Sequence, residues 1–225
     1  MHSINTDELK KRFIVIEGID GAGTTTQMNL LAGSLRARGL SCVTTAEPTT
    51  SPIGMLIRSV LSGKNEAAPS TVAHLFAADR NEHLYGKEGI AQKVEEGALV
   101  ISDRYVLSSL AYQGVTCGPE IPWQLNSRFP APGLTLLFEV DPEVCIKRID
   151  TRSNKEIYET LEFQKRVHDM YAVMADRLEQ QGWHIERINA DGDIETVRLR
   201  IEAVVFAFLG VPSGGITESA SRLHS

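Results

Sequence analysis

The stretch from Arg12 to Gln27, RFIVIEGIDGAGTTTQ, decides the fold. It begins with a short apolar run rich in β-branched residues, which is typical of a strand buried on both faces of a parallel sheet. It continues with a near match to the phosphate-binding pattern G-x-x-x-x-G-K-[ST], with Gly18, Gly23 and Thr25 in place. The lysine of the pattern is replaced by Thr24. The stretch therefore predicts a strand, a phosphate-binding loop and a helix in succession.

Composition narrows the class of protein. The chain has 225 residues, of which 42% are hydrophobic and 23% charged, an ordinary globular balance. Its net charge of −6 argues against a broad nucleic acid-binding surface, because phosphate backbones attract basic surfaces. Cys42, Cys117 and Cys145 match no zinc spacing, and neither a membrane span nor a secretory signal is evident. We therefore expect a cytoplasmic protein with reduced thiols that binds neither a membrane nor a nucleic acid polymer.

Strands and helices are predicted to alternate along the rest of the chain. Apolar runs predict further strands at 41–48, 97–105, 134–142 and 183–190. Helical spacing and helix-ending residues predict helices at 25–38, 53–63, 69–84, 142–152, 158–181 and 194–209. The alternation predicts an α/β fold of phosphate-loop NTPase type, with a three-layer, doubly wound parallel sheet of about five strands flanked by helices.

The predicted elements define one domain. It spans residues 12–209, preceded by an N-terminal extension at 1–11. The segment 210–225 is rich in Gly and Ser and has little to bury, so we expect a flexible tail there.

Three residues point to phosphate chemistry at the ends of the predicted strands, where such sheets bind ligands. Thr25 supplies the hydroxyl that this loop pattern places on Mg²⁺. Asp103 ends a buried strand, as the metal-positioning acid of phosphate-loop enzymes does. Arg104 beside it can clamp a phosphate with two hydrogen bonds. The alternatives are a Gly-rich turn without a ligand and a structural ion pair at a strand end.

Two polar and aromatic segments are candidates for binding a nucleotide base or sugar. Phe76 and Arg80 lie four residues apart on one predicted helix face, so they can stack on and hydrogen-bond a flat heterocycle. Periodicity by itself, however, favours Phe76 in the core and Arg80 as a surface charge. Ser108, Ser109 and Tyr112 fall on a short helical turn after Asp103-Arg104, where they suit either a sugar or base edge or an ordinary capped helix start.

A basic segment, KRIDTRSNKEIYE, follows the fourth predicted strand. Its cations Lys147, Arg148, Arg152 and Lys155 can close over phosphates or can simply form a solvated face. Because position 24 lacks a lysine, the positive charge must come from elsewhere if phosphoryl transfer survives.

Five collinear segments resemble bacterial and archaeal thymidylate kinases. They are FIVIEGIDGAGTTTQ, EPTTSPIG, LFAADRNEHL, VISDRYVLSSLAYQG and EVDPEVCIKRI, and the match spans Arg12 to about Leu209 in the family's order. The resemblance implies transfer of the γ-phosphate of ATP to dTMP, giving dTDP and ADP with Mg²⁺. It also implies a homodimer, which is the usual state in this family.

The resemblance further implies which residues form the site. Phe76 would stack on thymine, Arg104 would clamp the dTMP phosphate, and Tyr112 would discriminate against a ribose 2′-OH. The implied ATP set is Gly18, Ile19, Asp20, Gly21, Ala22, Gly23, Thr24, Thr25, Thr26 and Arg148, the last packing on adenine. The implied dTMP set is Asp20, Glu47, Pro48, Phe76, Arg80, Arg104, Ser108, Ser109, Tyr112 and Gln113. The metal would be held by Thr25 and Asp103, and the catalytic set is Asp20, Arg104, Arg152 and Lys155.

The chain departs from the family pattern at the positions of its usual catalytic cations. Thr24 replaces the loop lysine, Ile157 stands where many relatives have a lid arginine, and Ala22 stands where others have a loop arginine. In the first interpretation, Arg152 or Lys155 from a lid at about 150–160 restores the charge for a dTMP kinase. The alternatives are a kinase of another deoxynucleotide or nucleoside, and a nucleotide-binding protein with weak or no catalysis.

Overall fold

A single parallel sheet forms the centre of the molecule. The computed structural model describes residues 5–149 and 160–212. The strands are β1 Phe13–Glu17, β2 Cys42–Ala46, β3 Leu99–Asp103, β4 Leu134–Glu139 and β5 Ile185–Asn189, in the spatial order β2-β3-β1-β4-β5. All neighbouring strands are parallel. Every residue of β1 and β3 is buried, and apart from Glu17, Ser102 and Asp103 near their carboxyl ends both strands are continuously apolar rather than alternating.

Helices connect the strands and cover both faces of the sheet. Those within the described residues are α1 Thr6–Arg12, α2 Thr24–Ala37, α3 Pro52–Leu61, α4 Pro69–Tyr85, α5 Ile90–Glu95, α6 Val106–Cys117, α7 Glu120–Asn126, α8 Pro142–Ile149, α9 Leu161–Glu179 and α10 Ile194–Leu209. Helices α2 and α10 pack on each other, whereas α4, α6, α7 and α9 form a second contiguous group. The predicted doubly wound α/β architecture is thus confirmed.

The structure differs from the predicted elements in its short helices and in α6, which spans Val106–Cys117 where only a short helical turn was predicted. Helices α1, α5 and α7 were not predicted, because six or seven residues are too few to show a helical period. Helix α1 covers the second half of the predicted extension, ends one residue beyond it at Arg12, and buries Leu9 in the main core. Helix α9 begins at Leu161 rather than at 158, because the Thr160 hydroxyl accepts the Phe163 N–H at 3.3 Å and caps it.

Several predictions lie on residues outside the described ranges. These are residues 150–159 of the predicted lid, with Arg152 and Lys155, and residues 213–225 of the predicted tail. In the described part of the chain, none of the helices has the length and apolar character that crossing a bilayer requires. The three cysteines are free, as expected.

Candidate active site

A cleft of about 380 Å³ opens at the carboxyl ends of β1, β2 and β3. Its walls come from the loop after β1, the residues after β2 and the residues after β3, with side chains of α3, α4 and α6. Strand register explains the convergence, since Asp103 at the end of β3 lies beside both Ile16 and Ala46. This is where a doubly wound sheet places its ligands.

The loop after β1 has the backbone that a phosphate cradle requires. Gly21 has φ +83° and Gly23 has φ +91°, a left-handed region that favours glycine. A Cβ at Gly21 would also lie only 2.5 Å from the carbonyl oxygen of Cys145. Gly23 is the N-cap of α2. The first N–H groups of that helix, and with them the positive end of the helix dipole, therefore lie at the cleft. The loop can therefore hold an anion without a lysine side chain.

Thr25 and Asp103 meet beside this loop. The Thr25 hydroxyl donates to Oδ2 of Asp103, whereas Oδ1 is buried and accepts no hydrogen bond from any described residue. A buried carboxylate oxygen without a partner is unfavourable, and it is a ligand type that Mg²⁺ prefers. Residues 5–149 and 160–212 hold no cluster of three or more His, Cys, Asp or Glu suited to a metal. Mg²⁺ in nucleotide enzymes uses only one or two carboxylates plus phosphates and water, so the pair fits such an ion.

Arg80 lies inside the molecule at the other end of the cleft. Its side chain is 1% exposed, and its Nε and Nη2 donate to Oε2 of Glu47 at 3.0 and 2.7 Å. Nη2 also donates to the Tyr105 carbonyl at 2.8 Å and to the Ser109 hydroxyl at 3.0 Å, and Nη1 donates to Oδ1 of Asn126. The guanidinium is therefore held rigidly in the cleft wall.

The placement predicted by periodicity for Phe76 and Arg80 is wrong. Phe76 is half-buried and lines the cleft, while Arg80 is one of the most deeply buried side chains of the protein. Periodicity failed because this face of α4 packs against a polar cavity instead of an apolar core. The arrangement leaves an aromatic ring and a guanidinium on the same wall.

Arg104 connects the cleft with the glycine loop. Its Nη1 donates to the Gly18 carbonyl at 3.0 Å, to the Ser108 hydroxyl at 3.2 Å and to the Tyr171 hydroxyl at 3.2 Å, and its Nη2 pairs with Asp20. Its backbone has φ +75°, which is rare for a residue with a side chain. The side chain remains 18% exposed, so it can still reach a bound anion.

Glu17, at the end of β1, accepts hydrogen bonds from the two hydroxyls that also contact Arg104. It was not predicted as a site residue. It is fully buried and accepts from the Tyr105 N–H at 2.9 Å, from the Ser108 hydroxyl and from the Tyr171 hydroxyl at 3.2 Å. Burial raises the pKa of this carboxyl group, which its hydrogen bonds partly offset. A charged residue closing an apolar strand was the available signal.

Two further buried side chains hold segments of the cleft wall and were also missed. Gln164 of α9 donates to Oδ2 of Asp20 at 2.9 Å and accepts the Asp20 N–H at 3.3 Å. Asp79 of α4 accepts the N–H and hydroxyl of Thr49 at 2.7 and 2.6 Å, and the hydroxyl of Ser51 at 2.9 Å. Their partners are 144 and about 30 residues away in the chain, so no local sequence pattern reveals them.

The structure brings most of the predicted site residues together. All ten residues of the predicted dTMP set line the cleft, as do both predicted metal ligands. From the ATP set, Asp20, Gly21, Gly23, Thr24, Thr25 and Thr26 line it, whereas Gly18, Ile19, Ala22 and Arg148 do not. Arg148 of α8 instead lies against the loop, with Nη1 3.4 Å from the Gly21 carbonyl. Arg58 and Leu61 of α3 line the cleft although the sequence did not point to them.

Comparison with known families agrees with this geometry. The family model described as thymidylate kinase matches residues 16–201. The chain belongs to the thymidylate kinase family. It is thus a kinase, an enzyme that transfers a phosphoryl group.

Curated relatives cover most of the chain. A "Probable thymidylate kinase" of Thermococcus kodakarensis is 39% identical over 88% of this chain and 98% of its own length. A "Probable thymidylate kinase" of Methanococcus vannielii is 43% identical over 73% of this chain and 78% of its own length. A protein of the same name from Pyrobaculum calidifontis is 43% identical over 72% of this chain.

Proposed function

We propose that this family member transfers the γ-phosphate of ATP to dTMP, giving dTDP and ADP for deoxynucleotide biosynthesis. The observation that carries the proposal is the convergence of all ten predicted acceptor residues on one cleft that adjoins the glycine loop. A phosphoryl donor and an acceptor must lie in line for transfer, and a single cleft allows this.

The acceptor end of the cleft suits a thymine base. Phe76 offers a ring face for stacking, and Arg80 offers a guanidinium whose charge the buried Glu47 already balances. Because Arg80 is 1% exposed and already makes five hydrogen bonds, whereas Arg104 remains 18% exposed, we assign Arg80 to the base edge rather than to the phosphate. Tyr112 lies on the cleft wall with 7% of its surface exposed. We assign to it the role of excluding a ribose 2′-OH.

Arg104 is assigned to the phosphate of dTMP. It lies between the acceptor end and the loop, with contacts to Asp20 and the Gly18 carbonyl. A guanidinium there can hold the acceptor oxygen toward the donor and stabilise charge that develops during transfer. Asp20 fixes Arg104, and Gln164 in turn fixes Asp20.

Donor binding is assigned to the loop and the start of α2. The N–H groups of the loop and of the helix N-terminus would wrap the phosphates of ATP, with Arg148 toward adenine. Thr25 and Asp103 would hold Mg²⁺, which when bound neutralises phosphate oxygens. We assign to Arg152 or Lys155 the positive charge that the usual pattern supplies with a lysine at the position of Thr24. We also infer a cytoplasmic homodimer, which the family resemblance supports.

The test is a coupled assay of ADP release with dTMP, compared with the Thr25→Ala variant. Turnover clearly above that variant is expected, with dTDP identified by chromatography. dUMP, dCMP and thymidine are offered as alternative acceptors, and the proposal expects dTMP to have the highest kcat/KM. Tight binding of both nucleotides without product would instead make the protein a non-catalytic binder.

A further inference from the structure

We propose that His83 is a positioning residue for the acceptor: it holds the carboxylate of Glu47, which in turn holds the guanidinium of Arg80 in the cleft. The inference rests on the proposed function, because that function assigns Arg80 to binding the base of dTMP. His83 itself is not among the residues that line the cleft, so it acts through its neighbours.

The contacts of His83 form a continuous chain that is partly buried at Thr45 and His83 and buried at Glu47 and Arg80. Its side chain is 9% exposed, with Nδ1 3.0 Å from Oε1 of Glu47 and Nε2 2.6 Å from Oγ1 of Thr45. The chain thus runs from the β2 residue Thr45 through the imidazole to Glu47 and on to Arg80. Both ring nitrogens are used, so the imidazole has one defined orientation.

The two oxygens of Glu47 divide their partners. Oε2 accepts both hydrogen bonds from Arg80, whereas Oε1 accepts from His83. The Glu47 side chain is only 2% exposed, so without His83 its Oε1 would lose the one partner that the described residues provide. The carboxylate would then be free to turn about its last torsion, and the two hydrogen bonds that Arg80 donates to Oε2 would lose their fixed acceptor.

These contacts define where the proton of His83 lies. An ionised carboxylate can only accept a hydrogen bond, so Nδ1 must carry a hydrogen. The hydroxyl of Thr45 can donate to a neutral Nε2 or accept from a protonated one, so it fits either charge state. His83 therefore carries a hydrogen on Nδ1 in either charge state, and this is a spectroscopic signature that mere burial would not produce.

Helix α4 brings the three functional side chains to one wall. Phe76, Arg80 and His83 follow one another at spacings of four and three residues, which places them on one helix face. One helix thus carries the ring that stacks, the guanidinium that binds and the imidazole that holds it. Preorganisation of this kind lowers the cost of orienting a substrate.

Two substitutions separate the Glu47 contact from the Thr45 contact. In His83→Asn the amide nitrogen can replace Nδ1 and donate to Glu47, whereas in His83→Gln it reaches the position of Nε2 and Thr45. We expect His83→Gln to raise the KM for dTMP about 10–100-fold, the size of a lost hydrogen bond to a charged group. His83→Asn should remain within about threefold of the original chain. The KM for ATP should be unchanged in both.

Nuclear magnetic resonance of the unsubstituted chain tests the hydrogen bond without any variant. The ring ¹⁵N shifts of His83, recorded near pH 8, should show a protonated Nδ1. A ring protonated on Nε2 alone overturns the inference. Equal dTMP KM values for the Asn and Gln variants, together with equal melting temperatures, overturn it as well.

Failure of the proposed function would look different. If the unsubstituted chain makes no dTDP, that function is wrong, while the ring shifts and calorimetric dTMP affinities of the two variants still decide the role of His83. A fully active chain whose His83→Gln variant binds dTMP normally refutes only the role of His83.

Discussion

The two ends of the cleft are built in different ways. At the acceptor end, buried side chains from α4, α6 and the residues after β2 bond to each other, with Arg80 and Glu47 at the centre. At the donor end, backbone N–H groups and a helix terminus form the loop, and the side chain at position 24 is a threonine. The proposed acceptor end thus presents mainly side chains to a ligand, and the proposed donor end presents mainly backbone N–H groups.

This difference explains which changes each end can accept. A loop that binds through its backbone keeps its shape when a side chain changes, provided that its glycines remain. The guanidinium of Arg80 has no such substitute, because five hydrogen bonds depend on its fork. Loss of the lysine at position 24 is thus compatible with a complete acceptor site.

The largest effect is expected at Arg80. Arg80→Met leaves Glu47 charged and buried without its main partner, so the free energy of unfolding should fall by about 3–5 kcal/mol. Urea denaturation followed by circular dichroism measures it. Arg58→Met is the matched control, because Arg58 lies on the same cleft but is exposed, and it should cost less than about 1 kcal/mol. Equal losses would mean that the Arg80–Glu47 pair does not stabilise the acceptor end.

The second prediction concerns the missing charge at the donor end. Alanine at Arg152 or at Lys155, whichever supplies the cation, should lower kcat about 10²–10³-fold. Lys147→Ala is the control, since Lys147 is exposed on α8 and should leave kcat unchanged.

A lysine at position 24 sharpens the same test. Thr24→Lys should change kcat less than about tenfold in the original chain, yet make the loss of Arg152 or Lys155 small. Steady-state kinetics of the single and double variants measure this coupling. Strictly additive effects would show that the lid cation does not replace the loop lysine.

A smaller effect is expected at the proposed metal ligands. Asp103→Asn should raise the Mg²⁺ concentration for half-maximal rate about 10–100-fold, because the amide lacks the charge of the carboxylate. Mg²⁺ titration of initial rates measures it. Thr25→Ser keeps the hydroxyl and should leave the requirement unchanged. An unchanged requirement in Asp103→Asn would remove Asp103 from the metal site.

The smallest predicted loss of function is at Phe76. Phe76→Leu should raise the KM for dTMP about tenfold, since stacking on a base contributes roughly 1–3 kcal/mol. The KM for ATP should not change, and Phe76→Tyr should retain most of the affinity. If only the KM for ATP changed, Phe76 would belong to the donor end of the cleft instead.

Local patterns predicted the strands well and the partners of buried charges poorly. The apolar run of β1 identified a buried strand, because burial on both faces requires continuous apolarity. The same logic misplaced Arg80, because periodicity reports which face of a helix is covered but not whether a core or a polar cleft covers it. Glu17, Gln164 and His83 were missed because their partners lie far away in the chain.

The sequence by itself determined the α/β fold class, the glycine loop and the family, since these depend on short patterns that each strand and turn must satisfy locally. It also placed a threonine where a lysine is usual, and no fold can change that. Only the tertiary structure decided that Arg80 is inside and Phe76 on the cleft wall, and that Thr45, His83, Glu47 and Arg80 form one chain. The physical reason is that a buried charge is tolerated only where distant segments supply its partners, and distance in the chain hides them.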